Sequence, residues 1–378
     1  MTRSKGQIGK IVSVIGARPQ FIKCAALSKE LRKRHEEVIV HTGQHYDHGM
    51  SEIFFQELSI PHPDYNLNVG SNTQGRQTGD MLSSLEGVLI KERPDLVLVF
   101  GDTNSTLAGV LAASKLNMRI AHVEAGLRSF DRTMPEEINR VVADHLSNLL
   151  FVPTVNAANN LHMEGIFEGV HVVGDVMVDA VLMNLAIAKE RSTILERLDL
   201  EEKDYLVATI HRQSNTDDIN ALSSTIRAMG RSQRKIVFPV HPRTRNRLVA
   251  AGMWEGLPSN IVPTEPLGYL DMLRLMSSAD KIVTDSGGMQ KEAYVLKVPC
   301  ITVRSNTEWG ETIEDGWNIL VGCDPERLLE AISSFRPARP QSDPYGRGDA
   351  AVNIAKIIDG VSEVQEGLPS EPAVANHT

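Results

Sequence analysis

A chain of 378 residues, 42% of them hydrophobic, is long for one core and comfortable for two domains. Its formal net charge of -9 argues against a general polyanion binder, so no nucleic-acid partner is expected, and any nucleotide must be held by a local cluster of cations. The three cysteines, Cys24, Cys300 and Cys323, have no paired spacing, which argues against a disulfide framework or a metal site and fits a reducing, cytoplasmic compartment.

Met1 to Lys10 is polar, and the apolar run Ile11–Ile15 is too short for a signal-peptide core. No stretch approaches the ~20 apolar residues that span a bilayer, so export and a membrane partner are not expected. Brief β-branched runs then alternate with helical patterns. Ile11–Ile15, Glu37–Thr42, Asp95–Phe100 and Arg119–Val123 are predicted strands. Ile22–Arg34, Gln77–Glu92, Thr106–Lys115 and Glu136–Leu149 are predicted helices. Such alternation builds a parallel sheet covered on both faces.

The pattern restarts after a crossover near Val172–Leu185. Tyr205–Ile210, Lys235–Val240, Asn260–Pro263, Lys281–Thr284 and Cys300–Val303 are the second set of predicted strands. Asp218–Met229, Leu270–Ser278 and Met289–Val295 are helices of that set. The expectation is an α/β chain of two Rossmann-like domains facing across a cleft: residues 1–177, joined by a C-terminal helix 350–361, and residues 178–345. A polar tail, 364–378, is expected to be disordered.

Ligands of open parallel sheets bind beyond the carboxyl ends of the strands. The residues just after each strand are therefore the candidates. Asp285-Ser286-Gly287-Gly288 is a strand-to-helix turn whose glycines let backbone N–H groups approach an anion, and the following helix start favours negative charge; the bland reading is a capped tight turn. Arg18, Lys23, His211, Arg212, Arg243 and Arg304 gather positive charge at strand ends of a net acidic chain, and arginine suits bidentate contact with phosphate. Taken singly, each is an ordinary surface residue. Glu292 lies one turn into the Gly-Gly helix, placed either to accept a ribose hydroxyl or simply to complement a helix start.

Asp102, Glu124 and Glu136 are candidate acid/base groups, with His211 opposite them. The bland alternatives are a helix cap for Asp102 and, for Glu136, an i,i+4 pair with Arg140 on one helix face. Gly346-Arg347-Gly348-Asp349-Ala350-Ala351 matches a dinucleotide fingerprint but follows prolines rather than a strand. No redox cofactor is expected.

At this point the residues resemble a family, the non-hydrolysing UDP-N-acetylglucosamine 2-epimerases. The matching segments are Gly16-Ala17-Arg18-Pro19-Gln20-Phe21-Ile22-Lys23, Gly101-Asp102-Thr103, His122-Val123-Glu124-Ala125-Gly126-Leu127-Arg128, Pro135-Glu136-Glu137-Ile138-Asn139-Arg140 and Asp285-Ser286-Gly287-Gly288-Met289-Gln290-Lys291-Glu292-Ala293. The resemblance implies two Rossmann-like domains, a homodimer, no redox cofactor, and a site lined by Arg18, Lys23, Asp102, Glu124, Glu136, Arg140, His211, Ser286, Gly287, Gly288, Glu292 and Arg304. Ala17, Gln20, Ser214 and Trp309 depart from the family pattern. The segments around Ala17 and Trp309, with His41-Thr42-Gly43-Gln44-His45-Tyr46-Asp47, are similar to a subgroup acting on UDP-2,3-diacetamido-2,3-dideoxyglucuronate. Gln44 and His45 match a regulatory site of bacterial members, although its basic partner is not evident.

The expected reaction is inversion at C2 of a UDP-2-acetamido sugar by elimination and re-addition of UDP. A hydrolysing epimerase, a glycosyltransferase and a non-catalytic nucleotide-sugar sensor are the rivals.

Overall fold

The computed structural model describes residues 8–44 and 61–364. The described residues divide into two compact units, one running up to Asp179 and resuming at Tyr345, the other Ala180–Pro344.

The first unit carries seven parallel strands: β1 (Lys10–Ile15), β2 (Glu36–His41), β3 (Tyr65–Asn66), β4 (Leu96–Phe100), β5 (Ile120–Val123), β6 (Leu149–Val152) and β7 (Val170–Val172). Their order across the sheet is β3-β2-β1-β4-β5-β6-β7. β4 is apolar and buried at every position, as a strand covered on both faces must be. One core packs Val12, Val14, Val97 and Val99 against Met81, Leu85 and Leu89 of the helix Gln74–Glu92 and Ala108, Val110 and Ala112 of the helix Asn104–Lys115.

The second unit repeats the plan with six parallel strands: β8 (Tyr205–Thr209), β9 (Lys235–Pro239), β10 (Ile261–Thr264), β11 (Lys281–Thr284), β12 (Cys300–Thr302) and β13 (Asn318–Leu320). Their order, β10-β9-β8-β11-β12-β13, is the order of the first sheet counted from its own first strand. In each sheet the chain reverses its direction of travel between the first and fourth strands, and this switch point opens a crevice at the strands' carboxyl ends.

The structure corrects several sequence expectations. Helices begin earlier than apolar periodicity suggested: Arg18 opens the first, with Pro19 in its first turn, where the missing N–H costs nothing. The helix expected over Glu136–Leu149 ends at Leu146, and Leu149–Val152 is strand β6. A four-residue apolar run carries no periodicity that separates helix from buried strand. Helices Val155–Met163, Pro242–Ala250 and Pro325–Ser334, and strands β3, β7 and β13, had no counterpart in the sequence reading.

The fingerprint-like segment at Gly346 precedes the helix Ala350–Val364, and the nearest preceding strand is β13. The Asp179 carboxylate accepts from Ala350 N at 3.2 Å and Ala351 N at 3.0 Å, so a side chain of the protein fills the anion position at that helix start. The tail expected to be disordered lies outside the described residues beyond Val364. Among the described residues no helix is long and apolar enough to cross a membrane, and no cluster of His, Cys, Asp and Glu could hold a metal ion.

Candidate active site

In the first unit, the turns after β1, β4 and β5 meet at the switch point. Gln20, fully buried, joins the first two. Its Oε1 accepts from Gly16 N at 2.8 Å and Ala17 N at 3.0 Å, while its Nε2 donates to Phe100 O at 2.7 Å and Thr103 Oγ1 at 2.9 Å. A glutamate here could not donate to Phe100 O. The Gln20 departure thus carries a structural role that sequence reasoning missed.

Asp102 stands just past β4. The cap of the next helix is Thr103, whose side chain accepts from Thr106 N, so Asp102 is not the cap. Its carboxylate instead takes Arg140 Nη2 at 2.5 Å. Arg140 also donates to Glu137 at 2.9 Å, which corrects the expected Arg140–Glu136 pairing. Glu136 is exposed, and its side chain makes no ion pair or hydrogen bond among the described residues. Glu137 is 3% exposed and accepts from Ser129 N, Ser129 Oγ and Phe130 N. Burial alone would raise its carboxyl, but these donors and Arg140 outweigh burial and hold it below the ordinary carboxylate range. Burial likewise acts to lower the Arg140 guanidinium, and the Asp102 and Glu137 charges more than reverse that.

Glu124 follows β5, beside β4 in the sheet. Its side chain is only 10% exposed and forms an ion pair with Lys23. Its φ of +70° is the left-handed region that a non-glycine residue adopts at a cost, a feature that clusters at functional sites. The turn closes on Gly126, where an added Cβ would lie 2.4 Å from Ala157 O. Side chains therefore cannot be accommodated at 126 without moving backbone.

In the second unit, Asp285 follows β11 and is fully buried. It accepts from His211 N at 3.0 Å, Arg212 N at 2.9 Å and Asn215 Nδ2 at 3.0 Å, which fixes the turn after β8 onto that after β11. The His211 ring lies 3.3 Å from the same carboxylate and 5.7 Å from the His241 ring, centroid to centroid. Burial, then the charges of His211 and Arg243, push the His241 imidazole below its ordinary value. Arg243 itself stands in the first turn of the helix Pro242–Ala250 and makes no side-chain hydrogen bond among the described residues.

Ser286 caps the helix Gly287–Val295, accepting from Met289 N at 3.4 Å. Glu292 lies part-buried one turn further along. Beside this helix start sits Glu308: an added Cβ at Gly287 would fall 2.0 Å from its Oε1. Glu308 also pairs with Arg304 at 2.9 Å and Arg212 at 3.6 Å. Two of the cations expected to hold phosphate, Arg304 and Arg212, thus already meet a carboxylate of the protein, a residue the sequence reading did not single out for the site. Trp309 places its ring over Lys291 Nζ, 4.1 Å from the centroid. Gln44 accepts from Ser105 N and Oγ, and His45 lies outside the described residues.

The chain matches the family model UDP-N-acetylglucosamine 2-epimerase over residues 29–359. It is 56% identical over 353 residues to a UDP-N-acetylglucosamine 2-epimerase homolog of Methanococcus maripaludis, with 92% of this chain and 99% of that one covered. It is 45% identical over 361 residues to a UDP-2,3-diacetamido-2,3-dideoxy-D-glucuronate 2-epimerase of Pseudomonas aeruginosa, with 92% and 99% covered. A crystal structure of the Methanocaldococcus jannaschii UDP-GlcNAc 2-epimerase in complex with UDP-GlcNAc and UDP aligns with a TM-score of 0.83 at 47% identity, over 92% of this chain and 99% of that one. With its paired carboxylates after β4 and β5 and its capped Gly-Gly turn after β11, the chain belongs to the UDP-N-acetylglucosamine 2-epimerase family.

Proposed function

We propose that the protein inverts C2 of a UDP-2-acetamido sugar, converting UDP-N-acetylglucosamine to UDP-N-acetylmannosamine as a precursor for cell-surface glycans. The observation that carries this reading is the pair of carboxylates, Asp102 and Glu124, on adjacent strand ends, each already matched to a cation. C2–H of an amino sugar is not next to a carbonyl, so direct deprotonation leaves an unstabilised carbanion. Elimination avoids this. The C1–O bond breaks with its electrons leaving on UDP, and a carboxylate takes the C2 proton as the C1–C2 double bond forms. A proton then reaches C2 from the other face, and the UDP oxygen adds back to C1.

Two faces call for two proton carriers, for which the first unit supplies Asp102 and Glu124, with Glu136 and His211 as further candidates. The second unit supplies the diphosphate seat: Ser286, Gly287 and Gly288 with Arg304 and Arg243, and Glu292 for the ribose. Arg18, Lys23 and Arg140 add positive charge. The reaction calls for no metal or redox cofactor. Homodimer assembly and a cytoplasmic location belong to the same proposal, supported by family membership and the unpaired cysteine spacing.

A second reading, epimerisation of UDP-2,3-diacetamido-2,3-dideoxyglucuronate, is favoured by Trp309 and by the Pseudomonas aeruginosa relative. Turnover of both sugars in deuterated water decides between them. The expected product carries deuterium at C2 and stays joined to UDP. Free N-acetylmannosamine would mean a hydrolysing enzyme. Product retaining its original C2 hydrogen would overturn elimination. No turnover of either sugar would leave the transferase and the sensor.

A further inference from the structure

Behind the two carboxylate-bearing turns lies a network whose centre, His122 and Asp144, is buried and whose outer end, Glu164, reaches the surface. His122 on β5 and Asp144 on the helix Pro135–Leu146 are 0% and 1% exposed. His122 Nδ1 faces Asp144 Oδ1 at 2.7 Å, and its Nε2 faces the Gly101 carbonyl oxygen at 2.7 Å. The ring thus bridges a carboxylate and a main-chain carbonyl through its two nitrogens. Asp144 Oδ2 accepts from Gly126 N at 3.1 Å and from Arg128 Nη1 at 2.7 Å. Arg128 in turn grips Glu164 through two parallel bonds, at 2.7 and 2.8 Å. The buried Asp144 carboxylate is thereby matched by the Arg128 guanidinium, whose side chain is 1% exposed.

The attachment points give the network its meaning. The Gly101 carbonyl belongs to the peptide that launches Asp102, and Gly101 has a φ of +60°, so that peptide plane is not held by a regular strand. Gly126 N closes the turn that carries Glu124, whose φ is +70°. One histidine–carboxylate pair therefore fastens both turns to each other.

We propose that His122 and Asp144 are positioning residues of the epimerase reaction: a buried clamp that fixes the Gly101–Asp102 peptide relative to the Glu124–Gly126 turn, and so sets the two proton-transfer carboxylates in place. This rests on the function proposed above. His122, 0% exposed, acts through the two turns.

Two substitutions separate the ring's two bonds. His122→Asn puts an amide donor near the Nδ1 position, keeping Asp144 but releasing Gly101. His122→Gln puts one near Nε2, keeping Gly101 but leaving Asp144 short of a donor. The expected result is a kcat lowered about 10²-fold in His122→Asn, with KM and the Kd for UDP within about twofold of the parent, and recovery of about tenfold or more of that loss in His122→Gln even though its Tm is the lower of the two. A kcat that follows Tm across the two variants, or an unchanged kcat in His122→Asn, overturns the proposal. Should His122→Asn fail to fold, His122→Gln decides alone: near-parental kcat at reduced Tm supports the clamp, and loss of kcat together with a raised KM overturns it. If the parent protein turns over no UDP-sugar, the functional reading fails by itself. Crystal structures of the two variants then judge the clamp: a rotated Gly101–Asp102 peptide in His122→Asn only supports it, and an unmoved peptide in both overturns it.

Discussion

The carboxyl-end shelves of the two sheets share one strand order and little else. In the first, charge is paired and sunk: Lys23 and Glu124 are 7% and 10% exposed, and Arg140 is shared by two carboxylates. In the second, charge is more open: His211 and Arg212 are each 38% exposed, and Arg212 and Arg304 share one partly exposed carboxylate, Glu308. A low-exposure ion pair holds a carboxylate in one orientation, which suits proton transfer. An exposed group of cations beside a capped helix start suits a ligand that arrives with its own negative charge. The same topology therefore serves two chemistries, because the fold fixes where the turns stand while the residues on them fix what they do.

The contrast can be broken most severely at Glu124. Glu124→Gln is expected to lower kcat by about 10²–10⁴-fold while leaving the Kd for UDP nearly unchanged, since the loss falls on proton transfer. Calorimetry with UDP beside a turnover assay checks both halves; weakened UDP binding of similar size would erase the division of labour between the shelves.

Next in size is a stability effect confined to the first shelf. Burial acts to raise the Asp144 carboxyl, but His122 and Arg128 prevail and hold it below its ordinary value. A depressed carboxyl contributes stability that is complete above the unfolded value of about 3.9 and is lost as pH falls through the folded one. Asp144→Asn should therefore cost about 3 kcal/mol at neutral pH, and the gap to the parent should narrow as pH drops below about 4. Urea melts across that range measure it, and a gap independent of pH would deny the ion pair its role.

On the second shelf, Ser286→Ala removes a side-chain oxygen from the proposed diphosphate seat. A loss of about 1.5–3 kcal/mol in UDP affinity is expected, roughly 10- to 150-fold in Kd, together with about 1 kcal/mol of stability for the lost helix cap. Titration with UDP that finds the parental Kd would remove the seat from this turn. The smallest effect concerns Glu308, which occupies the ground next to Gly287. Glu308→Gln should tighten UDP about two- to fivefold, because an exposed ion pair contributes little and its negative charge opposes the incoming anion. Weaker binding would mean that Glu308 contacts the ligand rather than competing with it.

Much of this was written in the sequence. Alternation of short apolar runs with helical periodicity determined two parallel-sheet units, because a strand buried on both faces must be continuously apolar. The same alternation put Asp102, Glu124, Ser286 and Arg304 immediately past strands. What tertiary structure alone decided is which charges meet. Arg140 lies four residues from Glu136 and three from Glu137, and sequence spacing permits either partner; only packing against the turn after β4 turns its guanidinium to Asp102 and Glu137. Glu308 is distant in sequence from Arg212, and His122 from Gly101 and Asp144, so no local pattern announces their contacts. Strand β6 escaped for the opposite reason: four apolar residues are too few to show a period, and only its place between β5 and β7 makes it a strand.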